Sequence, residues 1–332
     1  MRKKVGALVT IIILILLFFT LKDIQFKEIY TALTQINISY VLLALVAFLI
    51  YYMLWALRLK NTLAGYVKAS YFYLLKIVWA GAFVNTITPG VGVGGEPVRA
   101  YYIGEKYNKP KTKVLGFIAA DQFFNILGLT LYVIASTILI FFLIDITVLK
   151  NIIPIILVAL ALISVLAFYV FWKNAHKELH WIEKRLYHLK SIRKHFKTLP
   201  DFEKYFTRKF HNITNILKEA ITNRNKLSIG IILSVIYRSF EYVAAYVIFL
   251  ALGQDISLAA LLVVVTFAHL LGDISPIPGG IGLVESAMIV LYSAVGVPIH
   301  IAALVALLTR TAFYFYTVLV GGLTLLSLQK NK

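Results

Sequence analysis

Six stretches of this chain, at about 5–21, 39–59, 114–144, 151–172, 227–252 and 299–327, are apolar for roughly the length that crosses a bilayer. No other feature constrains the fold as much. In hydrocarbon every backbone N–H and C=O must find a partner inside the protein, so such spans are helices. Two of them run near 30 residues, about 45 Å at 1.5 Å per residue, and must tilt, break or project. Gly128 is the expected flex point in the stretch 114–144. The first stretch, Val5–Leu21, follows Arg2, Lys3 and Lys4 as a signal peptide would. Lys22-Asp23-Ile24 comes next, without a small-residue cleavage pattern, so the segment reads as an uncleaved span.

Composition narrows the function classes. The chain is 60% hydrophobic and only 14% charged, against roughly 25% charged in soluble domains. That leaves no room for a large soluble enzyme domain. A net charge of +18 raises nucleic acid as a partner. The basic residues sit between apolar runs rather than along one soluble face, so nucleic acid is not expected. With no cysteine, disulfides and thiolate metal sites are excluded. His176 and His180 stand four apart in a Lys-rich amphipathic stretch and read as a solvated face, and no H-E-x-x-H occurs. No metal, cofactor or enzymatic chemistry is expected.

Two further apolar regions, about 71–104 and 257–297, are each interrupted by Gly and Pro, leaving halves too short to span. Broken backbone at membrane depth is tolerated where protein or a wet cavity surrounds it. Both regions read as re-entrant helix–loop–helix hairpins. Charge bias supports this. Arg2, Lys3 and Lys4 place the N-terminus inside; residues 22–38 sum to zero and fall outside; Arg58, Lys60 and Lys68 are inside. Lys106, Lys109, Lys111 and Lys113 are inside only if the first interrupted region returns to the side it entered. The stretch 173–226 holds 14 Lys/Arg against 5 Asp/Glu, inside, and Lys330 and Lys332 end inside. The expected fold is an all-α polytopic membrane protein of six full spans plus two re-entrant helical hairpins, with both termini cytoplasmic. Among its aromatic residues 173–226 carries Trp181, Phe196, Phe202, Tyr205, Phe206 and Phe210. It reads as amphipathic helices on the anionic inner leaflet, or as a docking surface for a membrane-enzyme partner.

The interrupted regions resemble each other. Asn85-Thr86-Ile87-Thr88-Pro89-Gly90 leads through Gly94 and Gly95 to Glu96; Asp273-Ile274-Ser275-Pro276-Ile277-Pro278 leads through Gly279, Gly280 and Gly282 to Glu285. Glu96 to Asp121 and Glu285 to Arg310 are each 25 positions, and an arginine, Arg58 or Arg238, precedes each unit. The charge argument gives the units opposite orientation. We therefore expect one integral membrane domain over 1–332, built as inverted repeats at 39–144 and 227–328, a plan that places a substrate site between the repeats. At Gly90–Glu96 free amides suit a phosphate-bearing headgroup; equally, Glu96 and Glu285 satisfy those amides themselves. Arg58, Asp121, Arg238, Glu241, Asp273, Glu285 and Arg310 lie in or beside apolar segments, where a charge costs about 3 kcal/mol at mid-depth unless paired or hydrated. Such residues are functional candidates; the structural alternative pairs Arg238 with Glu241 on one helix face, or Asp121 with Arg310 across the repeats. Arg58 near a span end reads as snorkelling to the interface, whereas Arg310 in mid-span reads as functional. His269 reads as a packed core residue rather than a proton relay.

With these motifs in view, the chain resembles the flippase-like membrane protein family related to the transmembrane region of lysylphosphatidylglycerol synthases. The resemblance runs from about residue 5 to 328. It is carried by Thr88-Pro89 through Glu96-Pro97-x-Arg99, by Ser275-Pro276-x-Pro278-Gly279-Gly280-x-Gly282-x-x-Glu285, and by Arg310. It implies translocation of a lipid or lipid-linked precursor with an anionic or phosphate-bearing headgroup. Membrane lipids are then the partners, and Pro89, Gly94, Gly95, Glu96, Arg99, Pro276, Pro278, Gly279, Gly280, Gly282, Glu285 and Arg310 are the motif positions. In the synthases a soluble aminoacyl-transfer domain should follow; here the sequence stops at Lys332, so lysyl transfer is not expected. No G-x-x-x-x-G-K-[ST] loop is present, which makes transport passive or ion-coupled, with Glu96, Asp121 and Glu285 as proton candidates. A small-solute or ion transporter and an accessory subunit of a separate glycosyltransferase or lipid synthase are the alternatives.

Overall fold

The computed structural model describes residues 26–88, 94–143, 198–275 and 277–330, together with Tyr187 and Phe196. The expected spans 5–21 and 151–172, most of the basic stretch up to residue 197, and Pro89 and Pro276 lie outside the described residues. Among these residues every secondary-structure element is helical. In chain order they are α1 (Phe26–Thr34), α2 (Ile38–Leu63), α3 (Tyr71–Ile87), α4 (Gly95–Lys106), α5 (Lys111–Leu143), α6 (Leu199–Thr222), α7 (Arg224–Ala251), α8 (Leu258–Ile274), a 3₁₀ turn (Pro278–Gly280), α9 (Leu283–Ala294) and the long α10 (Ile299–Lys330).

Four helices, α2, α5, α7 and α10, are long and apolar enough to cross a membrane. Each keeps an apolar face outward: Leu42 and Leu43 on α2, Ile134 and Ile138 on α5, Ile232 and Ile236 on α7, Leu323 and Leu326 on α10. Water would penalise such faces, whereas lipid tails solvate them. Polar side chains begin the helices where water or loops take over. Asn37 Oδ1 accepts from Ser39 N–H at α2, Asn223 Oδ1 from Lys226 N–H at α7, and Ser257 Oγ from Ala260 N–H at α8.

α2 and α7 run against each other at the centre. α3 packs on α2 and α4, and α8 on α7 and α9; α4 packs on α5, and α9 on α10. α5 crosses to α7 and α8, while α10 crosses to α2 and α3. Each of these pairings in the first half has its counterpart in the second. Two apolar cores result, one around α7–α10 and one around α2–α4, and Phe240, Phe313 and Tyr316 pack on both.

One expectation changes here and another gains detail. Gly128 is no flex point: α5 is continuous through it, and a β-carbon there would stand 2.7 Å from Ser234 Cβ. It is a place of close approach between α5 and α7. The described part of the basic stretch, α6, does not lie free. Leu217 and Ala220 bury against Ala120 and Phe124 of α5, and Phe202 and Ile216 are likewise buried.

Gly95 sets the spacing of α3 and α4. A β-carbon there would stand 2.7 Å from the Gly81 carbonyl carbon and 2.9 Å from Asn85 Oδ1. Both neighbours belong to a helix that cannot give way locally. Gly95→Ala should therefore lower stability by about 1–3 kcal/mol, the usual cost of overpacking. The thermal midpoint in detergent checks this, with Gly296→Ala as a control for strain without crowding, because nothing lies within 4 Å of Gly296.

Candidate functional site

The two interrupted regions form helix–break–helix units whose arms pack together. In the first, α3 closes with Thr88 Oγ1 donating to the Val84 carbonyl at 2.7 Å. Asn85 Oδ1 then accepts the Gly95 N–H that opens α4. In the second, Ser275 Oγ accepts from Ile277 N–H at 3.1 Å, and the 3₁₀ turn follows. Gly279, Gly280 and Gly282 have φ of 62°, 64° and 83°, a region that costs a side-chain-bearing residue about 1–2 kcal/mol. Glu285 Oε2 accepts the Gly282 N–H at 2.7 Å, so this glutamate caps α9 itself. Glu96 does not cap in this way. It lies in the first turn of α4, and its bonds go to side chains. The breaks meet: a β-carbon on Gly279 would stand 2.9 Å from Thr86 Cγ2.

Buried charges surround the breaks in four groups. Arg58 grips Asp121 with two bonds, Nε to Oδ1 at 2.8 Å and Nη2 to Oδ2 at 3.1 Å; Nη1 donates to Ser234 Oγ at 2.9 Å and Trp55 Nε1 to Asp121 Oδ2 at 3.2 Å. Both side chains are fully buried. The expected pairing of Asp121 with Arg310 is thus incorrect, and Arg58 does not snorkel: both roles are taken by a closed pair within the first half. Such a saturated carboxylate is poorly placed to carry protons.

At the first break, Glu96 Oε1 accepts from Arg99 Nη2 and Gln122 Nε2, each at 2.6 Å. Arg99 is fully buried, lies 5.0 Å from the Trp55 ring centre, and has no partner for Nε or Nη1 among the described residues. Glu96 Oε2 is also buried without a partner among them. At the second break, Arg310 Nε donates to Glu285 Oε1 at 2.8 Å and its Nη2 to the Gly279 carbonyl at 2.6 Å, with Tyr314 OH closing the group. In each half the glutamate of the returning helix therefore reaches the long helix that follows. In α10 a π-helical turn, Phe315–Val320, comes directly after Tyr314, and Tyr52 OH bonds Thr317 Oγ1 within it at 2.6 Å. Turns of this kind recur at functional sites.

The fourth group joins the halves. Arg238 Nε donates to Asn125 Oδ1 of α5 at 3.2 Å, and Tyr237 OH bonds the same oxygen. Its Nη1 reaches Glu241 Oε2 at 3.5 Å, as expected, and its Nη2 stands 3.8 Å from Asp273 Oδ2. His269 Nδ1 is 3.9 Å from Glu241 Oε2.

The structure thus places Arg58, Gly94, Gly95, Glu96, Arg99, Asp121, Arg238, Glu241, Asp273, Pro278, Gly279, Gly280, Gly282, Glu285 and Arg310 in or beside the breaks and their facing helices. Sequence reasoning missed Gln122, Asn125, Ser234 and Tyr314. A signal was present: Asp121 with Asn125, and Arg310 with Tyr314, are four apart and share a helix face.

The family model described as the lysylphosphatidylglycerol synthase transmembrane region matches residues 5–321. A "UPF0104 membrane protein" of Pyrococcus horikoshii is 28% identical, covering 89% of this chain and 88% of its own length. One of Methanothermobacter thermautotrophicus is 28% identical over 93% and 91%, and one of Methanocaldococcus jannaschii 26% over 97% and 95%. The match contains both helix breaks, their glutamates and Arg310, and on it the chain is a membrane protein that belongs to the lysylphosphatidylglycerol synthase transmembrane-region family.

Proposed function

We propose that the protein moves a lipid or lipid-linked precursor across the cell membrane, between two inverted repeats at 39–144 and 227–328. The observation that carries this reading is the contact between the two helix breaks, Thr86 against Gly279, each flanked by a buried glutamate–arginine pair. Irregular backbone at that depth belongs where a polar group must pass. The mirrored packing of α2–α5 and α7–α10 supports the repeat, and the two breaks act as re-entrant hairpins, completing six spans with 5–21 and 151–172. Both ends are then cytoplasmic. Arg99, with two buried donor nitrogens free among the described residues, favours an anionic or phosphate-bearing headgroup. The stretch 173–226 faces the inner leaflet, where α6 offers a seat for a membrane enzyme that supplies or consumes the lipid.

Liposomes carrying a phospholipid with a fluorescent headgroup, with a quencher that cannot cross the membrane, test the reading. Protein-free vesicles expose about half of the label. Wild type should exceed that half, and Glu285→Gln should abolish the excess. Wild type matching empty vesicles across several headgroups, with and without a proton gradient, would overturn lipid movement and favour a small-solute transporter.

A further inference from the structure

The four groups of buried charge are not alike in their balance. Arg58 with Asp121, Arg99 with Glu96 and Arg310 with Glu285 each set one cation against one anion. The fourth sets Arg238 against both Glu241 and Asp273, and so, with His269 neutral, carries one negative charge in excess among the described residues. The separations agree: 3.5 and 3.8 Å here, against 2.6–2.8 Å in the other three. One guanidinium stands between two carboxylates and satisfies neither closely. The excess carboxylate borders a dry ion pair, and a bound monovalent cation balances it.

We infer that this cluster is a proton-binding site, and that the proton is the coupling ion for the transport proposed above, on which the coupling role rests. Exposure gives the route. The Asp273 side chain is 56% exposed, whereas Arg238 and Glu241 are only 5% and 4% exposed. A carboxylate that is exposed among the described residues thus adjoins a buried pair. His269, one turn before Asp273 on α8, has an 18% exposed side chain with Nδ1 3.9 Å from Glu241 Oε2. A proton delivered by hydronium, which leaves as water, binds a carboxylate oxygen of Asp273 as a new O–H and removes the excess negative charge beside Arg238 and Glu241. Its release reverses these bonds, and no other species is consumed. Among the described residues the other titratable or charged groups that act on the cluster are Tyr51 and Tyr52 of α2, Tyr132 of α5, Tyr237 and Tyr242 of α7, and Arg310 of α10. A phenol hydroxyl cannot carry a positive charge, and Arg310 is balanced by Glu285. None of them cancels the excess. Asp273 also stands two residues before Ser275, where α8 ends. Binding and release of the proton therefore change the charge at the break itself.

Potentiometric titration of the purified full chain in detergent tests the site without relying on transport. Between pH 8 and pH 5, wild type should take up about one proton more per chain than Asp273→Asn or Glu241→Gln, each of which removes the excess charge. Equal uptake by all three overturns the site. Repeating the titration in sodium rather than choline chloride separates the ions; an uptake difference that sodium abolishes assigns the site to sodium and overturns the proton. In liposomes a pH gradient should accelerate lipid movement by wild type and not by Asp273→Asn. An uptake difference without lipid movement keeps the site and sinks the flippase reading. Lipid movement without an uptake difference does the reverse.

Discussion

Removing Arg58 alone should cost about 3–5 kcal/mol of stability, the largest single-residue effect expected in this protein. Arg58→Met leaves Asp121 fully buried with only the Trp55 indole N–H as a donor, and it strips Ser234 Oγ of a partner. Asp121→Leu is equally harmful in the opposite sense, because it leaves the guanidinium buried with only the Ser234 hydroxyl and the face of Tyr237, 4.7 Å away. The pair is fully dry on both sides, so neither charge can turn to water. The double variant Arg58→Met with Asp121→Leu should recover most of the loss, since no charge is then stranded. Thermal midpoints followed by size-exclusion in detergent, run as a cycle of the four proteins, give the answer. Losses that simply add in the double variant would show that the two residues act independently, against the geometry described above.

The same pair shows where the sequence stopped being informative. The long helices were legible because lipid demands one uninterrupted property over a fixed length, and hydropathy reports it: 39–59 and 299–327 lie within α2 and α10, and 227–252 runs one residue past the end of α7. The breaks were legible because Gly and Pro at membrane depth are hard to explain otherwise. Pair choice was not. Four buried arginines and five carboxylates permit many neutral combinations, and only the depth and rotation of each helix select among them. Opposite charge on the last long helix of each repeat offered Asp121 with Arg310, whose equal spacing from the two glutamates was read only as a mark of the repeat. That spacing makes them counterparts, each serving its own half. Arg238 with Glu241 was legible because it is local, three residues apart on one helix. The snorkelling of Arg58 failed for a related reason. Residue 58 is near a helix end by count, but α7 packs along that end of α2 and brings Ser234 to it. His269 was read as packing from its neighbours in the chain; the carboxylate near it, Glu241 of α7, becomes visible only across the bundle.

Arg310→Lys should leave the protein folded and lower lipid transfer at least tenfold. The substitution keeps the positive charge that balances Glu285, so the stranded-charge penalty argued for Arg58 does not arise. What it removes is the fork. Arg310 holds Glu285 through Nε while Nη2 reaches the Gly279 carbonyl. One ammonium on a flexible stem cannot hold both positions in the same rigid plane. The Gly279 carbonyl belongs to the turn that meets Thr86 of the other half, so the fork ties a helix of the second half to the point of contact between the breaks. If the pair were only a counter-charge, lysine would serve and transfer would be unchanged. If it sets the shape of the break, transfer falls while the thermal midpoint stays within a few degrees of wild type, a window of about 1 kcal/mol. Measuring both on one preparation separates the two roles. Wild-type transfer with a wild-type midpoint would reduce Arg310 to charge balance, and the translocation path would then have to run nearer to Arg99, whose donor nitrogens stand free among the described residues.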